Sequence, residues 1–229
     1  MRIASLIDEH TEGKLLTDAL TAAGHASQLF TDAKELLSHL RRDSTELLIL
    51  QWQTPDAGSA DALRWVREHV PFRLPVLLMA NSADEDAIIS GRALGADDFL
   101  IRPLRRAELL VRVQVLLRHA YPAQNVNEIL ESGVYAFDPR GSRLCIKGQA
   151  IELTQKEFDL ALLFFRNLDR PLSRAFILEA VWGRELQVAS RTMDTHVSRV
   201  RSKLALRPEH GFRLVPVYSY GYRLEKVAA

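Results

Sequence analysis

The strict alternation of the first half of this 229-residue chain limits its fold more than any other feature. Short apolar runs at residues 3–7, 25–30, 47–50, 75–80 and 97–101 are separated by stretches with helical spacing at 12–23, 33–42, 60–70, 84–94 and 105–118. Continuous apolar runs read as buried strands, and apolar positions three and four apart read as helices with one inward face. Five of each in alternation imply a parallel α/β sheet, covered on both faces by right-handed crossovers. In such a sheet a site belongs at the carboxyl ends of the strands.

The alternation stops near residue 120. Residues 120–127 lack Asp, Glu, Lys and Arg but include Pro122, Gln124 and Asn125, the composition of a connecting segment. The chain therefore divides into residues 1–119, a linker at 120–132 and a second domain at 133–229. That domain opens with two short strands, Tyr135–Asp138 and Arg143–Lys147, around the turn Pro139-Arg140-Gly141. Helical patterns follow at 154–167, 174–181 and 191–204, and then an aromatic, strand-like tail from Leu214 to Leu224. Helices before a terminal hairpin indicate a small α+β domain.

Composition matters here through charge. The formal net charge of +1 hides an asymmetry: the first 120 residues hold 14 basic and 17 acidic side chains and the rest 16 and 12, so the halves carry −3 and +4. Residues 184–207 alone hold six basic and two acidic side chains. On a helix, Met193, Val197, Val200 and Leu204 fall within about 60° of one another and form a buried stripe. Arg191, Thr195, Ser198, Arg199 and Ser202 then lie opposite, with Ser190 placed to cap the first turn. Short polar side chains let a helix approach a groove, and guanidinium forks can reach guanine edges or phosphates. A solvated basic face is the plainer alternative.

Other functions find less support. With 47% hydrophobic and 26% charged residues the chain is globular in composition. No stretch long enough to span a bilayer escapes charge, and no signal peptide is evident, so a soluble cytoplasmic protein is expected. Cys145 has no partner for a disulfide and reads as a packed strand residue, and the seven histidines are dispersed. The usual metal-site spacings, a glycine-rich phosphate loop and a nucleophile elbow are all missing, so an enzyme is not expected.

The segments Glu152-Leu153-Thr154-Gln155-Lys156-Glu157-Phe158, Val181-Trp182-Gly183, Ser190-Arg191-Thr192-Met193-Asp194-Thr195-His196-Val197-Ser198-Arg199-Val200-Arg201 and Gly221-Tyr222-Arg223-Leu224 resemble, in order and spacing, the winged-helix effector domain of OmpR/PhoB-type response regulators. The resemblance covers about residues 133–226. It implies a winged helix-turn-helix that binds double-stranded DNA as a transcription regulator, with the last helix in the major groove and the hairpin as a wing beside the minor groove. The implied phosphate contacts are Trp182, Arg191, His196, Arg201 and Tyr222. The implied base reader is Arg199, with Thr195 and Ser198 close by and Thr192 on the same approach. Trp182 reads equally well as core, and Tyr222 as hairpin packing. The segment Gly183–Ala189 is where the family meets RNA polymerase. The wing departs from the pattern, with Pro216-Val217-Tyr218-Ser219 where the family usually has Thr-Val-Arg-Gly. Tyr218 removes a cation from a site of negative potential, and Pro216 removes a backbone N–H. Altered wing readout is expected, with the hydroxyls of Tyr218, Tyr220 and Tyr222 reaching phosphates or the three rings sharing one packed face.

Residues 1–118 are similar to the receiver domain of the same regulators, which implies a flavodoxin-like fold with strand order 2-1-3-4-5. Asp8-Glu9 stands where the family holds magnesium. The segments Leu47–Asp56 and Gly95–Pro103 set the register of the third and fifth strands, and they place Gln51 at the phosphoacceptor aspartate. Phosphoryl transfer there needs a carboxylate nucleophile, a divalent cation, a cation at the phosphoryl oxygens and a hydroxyl that senses the product. Gln51 is an amide, Ala80 lacks the switch hydroxyl, and Arg102 replaces the compact lysine; Phe99 is counted with the same pocket. Neither Asp43 nor Asp56 occupies the strand end. The expectation is a pseudo-receiver that works without phosphorylation. At most it binds Mg2+ weakly at Asp8 and Glu9; otherwise Gln51 hydrogen-bonds one of that pair and Arg102 pairs with the other.

The resemblance also implies a homodimer through the fourth helix, fifth strand and fifth helix, using Asp98, Glu108 and Arg112. Ile88 and Val115 stand where charges are usual, which favours a constitutive dimer unless both are buried within their own domain. A second reading keeps the DNA-binding half but places the receiver-like half under the control of a small molecule or partner protein bound at the vacated pocket.

Overall fold

The computed structural model describes residues 1–7, 10–52, 57–70, 74–81, 85–121, 129–183 and 190–227. The chain divides into two compact units, Met1–Pro122 and Ala123–Ala229.

In the first unit strands and helices alternate as β1 (Arg2–Leu6), α1 (His10–Ala22), β2 (Ala26–Phe30), α2 (Ala33–Leu40), β3 (Leu47–Trp52), α3 (Ala57–His69), β4 (Val76–Asn81), α4 (Glu85–Ala93), β5 (Asp98–Arg102) and α5 (Arg106–Ala120). The strands form one sheet in the order β2-β1-β3-β4-β5, and every pairing is parallel. Strand β3 is buried along its whole length because helices cover both faces. Alternate side chains feed two separate cores. Leu48, Leu50, Leu78, Ala80 and Phe99 pack with Leu36, Leu63 and Val66 of α2 and α3. Ile49, Leu77, Met79 and Leu100 pack on the other face with Leu16 and Leu20 of α1 and Leu109, Val113 and Leu116 of α5.

The second unit begins with the antiparallel sheet β6 (Leu130–Ser132), β7 (Tyr135–Asp138), β8 (Arg143–Ile146) and β9 (Gln149–Ile151). Helices α6 (Gln155–Arg166), α7 (Arg174–Trp182) and α8 (Ser190–Lys203) follow, with the short strand β10 (Leu172–Ser173) between the first two. A hairpin of β11 (Phe212–Val217) and β12 (Gly221–Lys226) closes the unit, and its β12 pairs with β10. Thr154 and Glu157 form a reciprocal capping box that starts α6. Tyr135, Phe137, Phe158, Phe165 and Phe212 make an aromatic core, from which the Tyr135 hydroxyl donates to the carbonyl of Leu204 just past α8. Gly221 is required where β12 crosses β10, since a Cβ there would lie 2.0 Å from the Leu172 carbonyl oxygen.

The linker read at 120–132 needs correction at both ends. Ala120 closes α5, and Leu130–Ser132 is a strand paired with Tyr135–Phe137, where Leu130 packs on the aromatic core. Its middle, 122–128, lies outside the described residues. Among the described residues no helix is long and apolar enough to cross a membrane.

Candidate nucleic-acid interface and receiver pocket

Helix α8 has the two faces its sequence implies. Met193, Val197, Val200 and Leu204 are buried, while Arg191, Thr192, Thr195, Ser198 and Arg199 are exposed. Thr195 Oγ1 folds back onto the carbonyl of Arg191 at 3.0 Å, and the Nδ1–H of His196 donates to the carbonyl of Thr192 at 2.9 Å. These short polar groups lie flat against the helix and leave the guanidinium groups of Arg191 and Arg199 projecting from an open face. The side chain of Ser190 lies outside the described residues, as does 184–189, most of the segment tied to RNA polymerase.

Beneath this face the helix is tied down at three stations. Asp194 accepts hydrogen bonds from the Tyr222 hydroxyl on β12 and from Arg174 Nη2 on α7, both at 2.7 Å. Arg201 Nε donates to the carbonyl of Leu214 on β11 at 3.0 Å. Lys203 Nζ lies 2.7 Å from the buried carboxylate of Glu157 on α6. Burial alone would raise the Glu157 carboxyl, but hydrogen bonds from Lys203 and Thr154 outweigh it and hold the group below its ordinary value. Asp194 is lowered in the same way: burial opposes ionisation, and Tyr222 and Arg174 overcome it. Burial, and then the neighbouring carboxylate, raise the Tyr222 phenol, which keeps it a donor.

Three expected phosphate contacts therefore have other occupations. Trp182 is 6% exposed, belongs to the core and sits edge-on to the His196 ring at 5.3 Å. Arg201 uses Nε, and Tyr222 its hydroxyl, inside the protein. The three wing tyrosines do not share a face: Tyr218 lies in the turn and is 96% exposed, while Tyr220 and Tyr222 are half-buried. Pro216 is opposite Tyr222 in the hairpin.

In the first unit Gln51 is the penultimate residue of β3, at the carboxyl edge of the sheet, and is 4% exposed. Its backbone carbonyl accepts a hydrogen bond from Ser59 Oγ of α3 at 2.7 Å, a contact with no mark in the sequence. Strand alternation puts the Gln51 side chain on the face of Ile49 and Arg102 on the face of Leu100, the side covered by α1 and α5. There Arg102 makes a close ion pair with Glu12, in the first turn of α1. Glu12 reads in the sequence only as an acidic residue favourable at a helix start; its partner becomes visible once the strand order is known. Asp8 and Glu9, the acidic pair expected to meet Gln51 and Arg102, lie outside the described residues, as does Asp56. Ala80 and Phe99 belong to the core on the opposite face, where the Phe99 ring meets α4 and Arg92 lies 5.3 Å from its centroid. Phe99, the second residue of β5, is a packing residue away from the carboxyl end of the strand. Among the described residues no group of three or more His, Cys, Asp or Glu side chains could hold a metal ion.

On the α4–β5–α5 face, Arg112 binds Asp98 at 2.9 Å and Glu108 at 2.8 Å within its own chain. Ile88 is half-buried against the core, Val115 is half-buried on α5, and among the described residues of this face Ile89 and Val111 are the large apolar side chains left exposed, at 65% and 60%.

Comparison with known proteins agrees with this geometry. Residues 6–114 match the response regulator receiver domain and residues 148–224 match the C-terminal domain of transcriptional regulatory proteins. The sensory transduction protein RegX3 of Mycobacterium tuberculosis is 30% identical over 220 residues, 95% of this chain and 96% of that one. The phosphate regulon transcriptional regulatory protein PhoB of Rhizobium meliloti is 30% identical over 204 residues, 89% of each chain. Among solved structures, the response regulator DrrB of Thermotoga maritima, an OmpR/PhoB homologue, aligns over 99% of both chains at 24% identity with a TM-score of 0.45. The chain belongs to the OmpR/PhoB-type response regulators: it is a DNA-binding transcription regulator with a receiver domain and a C-terminal effector domain.

Proposed function

We propose that this regulator binds its operator in the cytoplasm as a dimer, without aspartyl phosphorylation. The observation that supports the reading is the state of the strand ends, where a buried amide, Gln51, stands at the position that the family resemblance gives to the acceptor, and Arg102 is paired with Glu12. An amide cannot become an acyl phosphate, and it brings no negative charge to a metal site. Divalent cation binding at Asp8 and Glu9 is therefore weak, and the receiver works as a fixed body. No resident cofactor is required.

In this reading Arg199 reads a base, Arg191 meets the backbone, and Thr192, Thr195, Ser198 and His196 line the approach. Two chains associate through α4, β5 and α5, with Ile89 and Val111 supplying exposed apolar area and the Asp98–Arg112–Glu108 cluster beside them. Footprinting of the unmodified full-length chain, with and without a small phosphodonor, tests the proposal. The expected result is one operator and equal occupancy in both arms; donor-dependent occupancy would overturn it. Sedimentation at micromolar concentration should show a dimer, alone or on DNA.

A further inference from the structure

The cluster beneath the first half of α8 joins three elements at one carboxylate. Asp194 receives the Tyr222 hydroxyl from the wing and Arg174 from α7, and the Arg174 guanidinium also stands 5.9 Å from the centroid of the Tyr222 ring. The wing side of the cluster is itself held: β12 pairs with β10 at Leu172 and Ser173, and the Arg174 amide donates to the carbonyl of Tyr220. Asp194 is the only acidic residue between Arg191 and Arg207, other than which that stretch would present only positive charge to a polyanion before Glu209. A carboxylate on a DNA-binding helix weakens general attraction to phosphate. Its place here is explained if what it provides is geometry.

We propose that Asp194, with Tyr222 and Arg174 as its two donors, is a positioning centre that fixes the recognition helix to the wing and thereby sets sequence discrimination, and that Tyr222 and Arg174 act through it rather than on the DNA backbone. The inference rests on the DNA-binding reading and deepens it. Loss of the centre leaves the cations of α8 in place, so attraction to any duplex persists. The loss falls on the register between helix and wing, on which a base contact depends to within fractions of an ångström.

The test compares a duplex enriched from a randomised pool by the full-length chain with a scrambled duplex of equal length. Tyr222→Phe and Asp194→Ala should each lower the ratio of the two affinities about tenfold, which corresponds to loss of a charge-assisted hydrogen bond. Combined, they should lower it no further than Asp194→Ala alone, because that variant already removes the Tyr222 hydrogen bond. Asp194→Asn, which keeps an acceptor for the phenol, should retain most of the ratio. Arg174→Gln should leave the salt dependence of binding to the scrambled duplex unchanged. Tyr222→Phe weakening both duplexes equally, and by the same factor in the Asp194→Ala background, would overturn the proposal in favour of a direct backbone contact. A reduction of the salt slope by about one on losing Arg174 would do the same. A wild-type chain that enriches no duplex would instead overturn the DNA-binding reading itself, and this inference with it.

Discussion

The two units treat their charges in opposite ways. At the receiver's strand ends the site residues face inward: Gln51 is buried, and Arg102 and Glu12 neutralise one another at 16% and 12% side-chain exposure. On α8 the cations that matter point out, while Asp194 and Lys203 of the same helix pair with Arg174 of α7 and Glu157 of α6 as anchors. A fold can thus keep its topology while a few side chains decide whether its site is a reactive pocket or a closed one.

Arg102→Ala should produce the largest effect and confine it to one unit. It leaves the poorly exposed Glu12 carboxylate without its partner, a loss of about 3 kcal/mol in receiver stability. Hydrogen exchange, which reports the units separately, should show weaker protection within residues 1–120 only, with DNA affinity unchanged to about twofold. A comparable loss of DNA binding would break the contrast. Arg199→Ala is the mirror experiment: about 1–3 kcal/mol of operator affinity and relaxed preference at one base, with no change in protection in either unit.

A smaller effect separates anchor from contact on the same helix. Lys203→Met should cost the effector unit about 1.5 kcal/mol, the lower range for a hydrogen bond to a charged group. The sign with pH follows from the lowered Glu157 carboxyl. A carboxyl whose folded value lies below its unfolded value of about 4.3 stabilises the fold fully above that value. The contribution is lost as pH falls through the lowered folded value. Without Lys203 burial pushes that folded value back up, so the acid unfolding midpoint of the variant should move to higher pH. An unmoved midpoint would show that the Thr154 cap alone holds the carboxylate.

Much of this contrast is legible in the sequence, and what escapes does so for physical reasons. The receiver strands and the buried stripe of α8 follow from periodicity, because each buries one repeated face. Strands β6, β9 and β10 escape because they are two or three residues long and carry Glu131, Ser132, Gln149 and Ser173, too short and too polar for a period to show. Arg201 and Tyr222 are visible as polar residues at suitable positions, but their partners, Leu214 and Asp194, come from other elements. Glu12 meets Arg102 only after the sheet has brought the start of α1 and the end of β5 to one edge. Residue type marks where chemistry can occur, and tertiary pairing decides whether the group is available for it.

The smallest expected effect is the sharpest test of that principle in the receiver. Gln51→Asp restores the missing carboxylate and nothing else. Ala80 still has no hydroxyl and stays in the core of the opposite face, and Arg102 still has Glu12 as its partner. A phosphoryl group arriving at residue 51 would find no switch hydroxyl and a cation already neutralised, so no coupling free energy would link it to the DNA-binding unit. Operator affinity of the Gln51→Asp chain should therefore change by less than about twofold on adding a phosphodonor, the effect expected when the two states bind the modification alike. Mass spectrometry of the same samples distinguishes an unmodified chain from a modified but silent one. A donor-dependent gain of tenfold or more in operator affinity, on the order of 1.4 kcal/mol, would show that a carboxylate at residue 51 suffices for control by phosphorylation and would leave the Arg102–Glu12 pair without a regulatory role.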